Sequence, residues 1–230
     1  MKFLKAFFIS AMFLQLFGCA SQQNVGMTAD YWASKDKKVG IIITQLPAPT
    51  GMKAGNQGLL DMAINEAIGD PLDKHLGTLK LDGFGELGEQ LSMLYESKGI
   101  SVTVIDEHPV VNNLPDTNKG DGFSQRDFTA LAKKHNVDQI LVVNVQAAGT
   151  IRSYYGFIPT SDPAGYCLVN ASLIEAKSHK LLWNFKSEQK ISVAGEWDQP
   201  DAQFPNITTS FYKAVDMSTS QIFSDFSKGT

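Results

Sequence analysis

Gly83-Phe84-Gly85-Glu86-Leu87-Gly88 is a literal G-x-G-x-x-G, the glycine spacing that lets a backbone close on a pyrophosphate at a helix N-terminus, and Asp106 follows near the distance at which an acidic residue meets a ribose. Its surroundings oppose that chemistry. Thr78-Leu79-Lys80-Leu81-Asp82 makes a poor buried strand, and Asp82 sets a negative charge where a phosphate has to sit. The same residues need only local chemistry to open a helix with Asp82 as N-cap. No dinucleotide and no other cofactor is expected. His75, His108, His135 and His179 stand apart with no H-x-x-x-H or H-E-x-x-H spacing, and Cys167 has no neighbouring ligand, so no metal site is expected. No serine lies in G-x-S-x-G, and Ser161-Asp162-Pro163 reads as a turn. Asp61, Glu66, Asp70 and Asp73 gather around one predicted helix, where carboxylates form a solvated face more readily than an acid/base pair. No catalytic residue emerges, and the chain is expected to be non-enzymatic. The residues with binding chemistry are Arg152, Tyr154, Tyr155 and Phe157, which lead into a Gly/Pro loop, and Trp197 on a second irregular stretch. Arginine and aromatic side chains dominate binding hot spots, and loops between strands commonly carry them. The competing role for these aromatics is to cover the sheet.

The N-terminus has a different chemistry. Lys2 and Lys5 precede an apolar run from Ala6 to Leu16, and Leu16-Phe17-Gly18-Cys19 ends it with a small residue before a cysteine. The run falls short of the ~20 residues that span a bilayer. It resembles a bacterial lipoprotein signal, whose lipobox Leu-x-(Gly/Ala)-Cys marks a cysteine that becomes the lipidated first residue. Phe17 departs from the small residue usual at its position. The resemblance implies cleavage between Gly18 and Cys19, acylation of Cys19, including palmitate, and effectively permanent attachment to a membrane. Ala20 and Ser21 follow without an aspartate, which by resemblance to enterobacterial sorting implies the periplasmic face of the outer membrane.

The 230 residues are 43% hydrophobic and 19% charged with net charge −4. That composition supports a sizeable core and gives no global basicity to hold nucleic acid. With Cys19 acylated, Cys167 has no partner for an intrachain disulfide, so stability must come from packing. Residues 1–18 are read as the signal, 19–37 as the lipidated cysteine and a flexible tether with Tyr31 and Trp32 at the domain edge, and 38–230 as one periplasmic domain.

Within that domain Lys38–Thr44 is a β-branched run with the pattern of a strand buried on both faces. Gly51–Gly58 reads as a loop, Leu59–Ile68 as a short helix, and Asp82–Gly99 as a longer helix that feeds a strand at Ile100–Ile105. Asp106–Gly122 is loop. Ser124 and Asp127 approximate a capping box for a helix that ends near Asn136. Asp138–Val145 is a strand with an apolar centre, able to continue to Tyr155. Tyr166–Ile174 and Leu181–Val193 form a hairpin about a turn at Ser178-His179, and Ile207–Phe226 is a closing amphipathic helix. Long early crossovers favour parallel or mixed pairing and short late connections favour antiparallel pairing. The fold class is therefore α/β or mixed α+β, a mixed sheet covered by helices.

Leu94–Val102, Ala132–Leu141 and Lys180–Trp183, followed by a C-terminal helix, are similar to the periplasmic domain shared by CsgG-like curli-secretion lipoproteins and LpoB-like penicillin-binding-protein activators. The fold of that set resembles the anticodon-binding-like TolB N-terminal domain. The likeness spans residues 38–227 and implies a protein-binding or assembly factor of the cell envelope, acting on a protein partner or on itself. It leaves open a subunit of an outer-membrane secretion pore, for which only Asn144–Tyr155 with Gly165–Ile174 offers a spanning hairpin. An envelope hydrolase is the remaining alternative and lacks a catalytic constellation.

Overall fold

A computed structural model describes residues 24–56 and 71–228. The β-branched run becomes β1 (Lys38–Ile43), buried on both faces beyond Lys38. β2 (Thr50–Asn56), α2 (Pro71–Leu76) and α3 (Gly83–Ser97) lead to β3 (Ser101–Ile105). α4 (Thr129–Lys134) precedes β4 (Gln139–Tyr155), a single strand of 17 residues. β5 (Ile158–Pro159), β6 (Ala164–Glu175) and β7 (Leu181–Ser192) follow, and α5 (Pro205–Ser227) closes the chain. A further short helix, α1 (Ala29–Ala33), precedes β1.

The sheet runs β3-β1-β4-β6-β7. β1 is parallel to β3 and β4, whereas β6 is antiparallel to β4 and β7, so the sheet is mixed. β4 sits at its centre and outreaches β1. Its first part pairs with β1 as far as Ile43↔Val143, and from Gly149 onward the same edge pairs in parallel with β2. Of Gly51–Gly58, read as loop, Gly51–Asn56 is therefore strand, and residues 57–58 lie outside the described residues. Its glycines give it no propensity of its own, and the overhanging β4 edge supplies the partner. Gly149 (φ 134) makes the pairing possible, because a Cβ there would lie 2.0 Å from the Thr50 carbonyl oxygen.

One sheet face carries the larger core, under α3 and α5. Val143, Val169, Leu173 and Trp183 meet Phe84, Leu91, Phe211 and Phe226, all buried. α3 ends as its sequence predicts: Gly99 adopts φ 70, its N–H donates to the Glu96 carbonyl, and the Ile100 N–H donates to the Tyr95 carbonyl. Its start differs. Asp82 is itself helical in φ and ψ and makes no side-chain cap, so Gly83, Gly85 and Gly88 lie inside a helix that follows a coil and a turn. A Cβ added at Gly88 would lie 3.6 Å from Ile43 Cδ1, an ordinary packing contact. The opposite face has a smaller core of Ile42, Ile105, Phe128, Val142 and Ile174 beneath α4 and the 106–128 loop. Here too the cap differs from the expected box. Ser124 folds back on Arg126, and Asp127 Oδ1 accepts from the Thr129 N–H at 2.7 Å.

The segment ahead of β1 is docked from Val25 onward. Val25 pairs with Asn184 at the outer edge of β7, and α1 delivers Trp32 into an aromatic cluster with Tyr95 and Phe226 at 5.3 and 5.6 Å. Tyr31 Oη donates to Gln139 Oε1 at 2.7 Å and lies 3.0 Å from Tyr95 Oη. Lys37 Nζ donates to the Tyr31 carbonyl and sits 3.2 Å from the Tyr31 ring centroid. Burial, with Lys35 nearby, lowers the Lys37 ammonium to about 8. Among the described residues no helix is long and apolar enough to cross a membrane.

Candidate functional site

The aromatic stretch at the end of β4 projects as a hairpin tip. β4 turns through Gly156 and Phe157 into β5, with Tyr155 paired to Ile158 and Tyr154 to Pro159. Gly156 at φ 59 takes the first loop position, the place of glycine in two-residue hairpins. Strand alternation sends Tyr154 and Tyr155 to opposite faces, where Tyr154 is half-buried and Tyr155 is exposed. Tyr155 is 73% exposed, Phe157 61% and Ile158 54%. Three large apolar side chains on one short tip are costly to leave in water unless something else covers them.

The base of the tip is rigid. Arg152 Nε donates to the Ser161 carbonyl at 2.7 Å, and Ser161 Oγ accepts from the Ser153 N–H at 3.0 Å. The Arg152 guanidinium lies 4.8 Å from the Trp197 ring centroid, a cation–π contact that joins two segments remote in sequence. Trp197 in turn packs against the small core formed by Leu72, Leu76, Phe204 and Ile207. The predicted residues thus divide. Arg152 and Trp197 meet and brace the hairpin, Tyr154 is half-buried, and Tyr155 and Phe157 are presented to solvent. Ile158 joins them and was missing from the sequence-based set. Its place two residues after Gly156, directly opposite Tyr155, was the available signal.

Gly18 and Cys19 lie outside the described residues, as do Asp61, Glu66, Asp70 and the predicted Leu59–Ile68 helix. Asp73 serves structure: its Oδ1 accepts from the Gly51 N–H at 2.9 Å and ties α2 to β2. The histidines are dispersed. His75 pairs with Thr208, His108 donates to the Ile43 carbonyl, and His135 reaches Glu107 Oε1 at 2.5 Å, where Lys134 also bonds at 2.7 Å. Hydrogen bonds from Lys134 and His135 hold the Glu107 carboxyl below its ordinary range. Among the described residues no three metal-binding side chains converge. Cys167 is fully buried on the main core face, and burial pushes its thiol up to about 11, which makes it an inert packing residue.

A second feature escaped the sequence reading. Above Val142 the strand face opposite α5 changes from apolar to carboxamide. Asn144 and Gln146 on β4 stand beside Asn170 and Ser172 on β6, and Asn144 is directly opposite Asn170. The turn at Val111–Asn113 crosses over them and leaves a cleft on each side, of about 390 and 190 Å³. The signal was there to read, in amides at alternate positions of strands whose neighbours are valine and leucine.

No protein-family model matches the chain, and no curated protein matches it. Several solved structures are similar at low identity. A neuraminyllactose-binding hemagglutinin homolog from Helicobacter pylori has 13% identity and a TM-score of 0.39, over 92% of this chain and 90% of that one. Lipoprotein GNA1162 from Neisseria meningitidis has 14% identity and a TM-score of 0.30, over 82% and 99%. The C-terminal domain of LpoB from Salmonella enterica has 12% identity and a TM-score of 0.26, over 68% and 84%. At these values the similarity assigns neither a family nor a function to this chain.

Proposed function

We propose that this chain is a lipid-anchored protein of the periplasmic face of the outer membrane, acting without catalysis as a protein-binding or assembly factor. The observation that carries the binding role is the β4–β5 tip, where Tyr155, Phe157 and Ile158 are each more than half exposed on a hairpin braced by Arg152 and Trp197. Rigid aromatic groups on a fixed scaffold bind with little loss of conformational freedom, and Tyr and Arg are the residue types that anchor interfaces. The lipid anchor rests on the lipobox at Leu16–Cys19. The secretion-pore alternative gains no support from the hairpin available for it. Such a hairpin needs an apolar face toward lipid, and the face of β4 and β6 not covered by α5 carries Asn144, Gln146, Asn170 and Ser172.

The test is site-specific photocrosslinking in intact cells, with a photoreactive residue at position 157 and a control at the exposed Glu89 on α3. A discrete protein adduct at 157 and none at 89 is the expected result. Equal labelling at both sites, or none at 157, removes the tip from the binding role. In the same cells Cys19→Ala should leave the protein unprocessed or soluble, and continued outer-membrane fractionation after normal cleavage would refute the anchor.

A further inference from the structure

We infer that the cleft beneath the Val111–Asn113 turn is a second docking site, and that its occupant is an extended, uncharged peptide segment of a partner protein. The β4 edge is the first reason. Its pairing with β1 stops at Val143 and its pairing with β2 starts at Gly149, so among the described residues the edge from Asn144 to Ala148 is flanked by the irregular β1–β2 connection, whose Thr44–Ala48 line the cleft, and not by a strand. The larger lobe of the cleft opens along that interval. A register shift between Val145 and Ala147 against β6 marks the same place, and irregularities of this kind are where strands re-aim side chains.

The second reason is the lining. Asn112, Gln125, Gln146 and Asn170 border the cleft, and among the described residues none of their amide side chains has a hydrogen-bond partner. Asn144 accepts one bond, from Thr44 Oγ1 at 3.0 Å. Asparagine is a poor strand former, and solvent alone would be met as well by threonine or by charge. The same sheet face shows that choice one strand away, where β7 carries Lys186, Glu188 and Lys190. Among the described residues the sole charged group lining the cleft is Arg126, which is neutralised by Asp116 at 2.9 Å and also donates to the Leu114 carbonyl. A surface that offers paired donors and acceptors without net charge matches the repeated N–H and C=O groups of a peptide backbone.

The third reason is the rim. Leu46 and Val110 border the larger lobe and are 38% and 41% exposed, apolar ground for alternate side chains of an extended chain. A glycan would use the carboxamides equally well, but its ring faces need an aromatic plate. Among the described residues the only aromatic side chain of the lining, Phe128, is buried.

The experiment pans a displayed heptapeptide library on the full-length chain in detergent micelles, then titrates the enriched sequences as synthetic peptides. Enrichment of uncharged peptides that move the side-chain amide NMR signals of Asn112, Gln146 and Asn170 is expected. Their affinity should fall at least tenfold in Gln146→Val and Asn170→Val, whose melting should stay at or above that of the parent because valine suits a strand better. Phe157→Ser must leave this binding unchanged, which separates the cleft from the tip. Failure to enrich any peptide over empty micelles, enrichment of charged peptides, or equal binding to both variants overturns the inference. Chitotetraose moving the same amide signals where peptides do not would make the cleft a glycan site instead.

Discussion

The two ends of β4 obey different rules. From Gln139 to Val143 every residue after the first is buried, on both faces, between β1 and β6. From Arg152 to Tyr155 nothing is fully buried, and the strand ends in side chains turned to water. The first end is a core strand whose sequence is dictated by packing density. The second is a scaffold extension, where aromatic residues sit at a cost in solvation that packing does not repay. A continuous backbone ladder couples the two, so the rigid end fixes where the exposed end points.

That contrast predicts very unequal responses to substitution. Val143→Asp buries an unpaired carboxylate between two strands, costing several kcal/mol of a typical domain's total of about 5–15 kcal/mol. The expected result is loss of cooperative melting, and a transition near the parent temperature would show that this end is not core. Gly165→Val is next. A Cβ at Gly165 would lie 2.2 Å from the Ser210 carbonyl oxygen, so α5 must lift off β6, at about 3 kcal/mol by denaturant melts.

The N-terminal clasp gives a smaller effect with a defined sign. Lys37 is lowered to about 8 from an ordinary 10.5, so between those values the unfolded chain binds more protons at this site and stability rises with pH. Burial of Tyr31 and Tyr95 raises both phenols above the ordinary 10.0. Their share of the stability is complete below pH 10 and is lost above it. Lys37 therefore contributes a melting temperature that climbs from about pH 8 to pH 10, a climb that Lys37→Met should remove. Smallest of all, Phe157→Ser should alter stability by no more than about 0.5 kcal/mol. A large loss there would mean that the tip is packed after all.

Periodicity carried most of this fold in the sequence. The β-branched run of β1, the continuation of β4 to Tyr155, the β6–β7 hairpin about His179 and the closing helix all follow from local pattern, because in each the residues that fix the element are its own. β2 was illegible for the opposite reason. Gly51 and Gly55 specify a loop in isolation, and the strand exists because β4 overhangs its other neighbour. The capping residues failed on a finer scale, since Asp82 and Ser124 are of the right type and in nearly the right place while the helices begin around other geometry. At the tip, residue chemistry pointed to Arg152 and Trp197, but only the folded chain separates the pair that braces from the aromatics that are offered. The carboxamide cleft draws on segments spread from Thr44 to Leu181, and no spacing rule assembles those.

Val25, hydrogen-bonded to the edge of β7 at Asn184, acts as a mooring point. Asn184 lies in the same row of the sheet as Ser172 and Val142, and the strand rise of roughly 3.3 Å per residue places the hairpin tip about 40 Å further along β4. From Cys19 to Val25 the sequence is long enough to span at most about 20 Å. On the proposed acylation of Cys19, the tip would be confined to a shell roughly 60 Å deep above the leaflet. So anchored, it would search a thin layer instead of the whole periplasmic volume, and a partner confined to that layer would meet it at an effective concentration set by that reach, independent of how strongly the two surfaces attract.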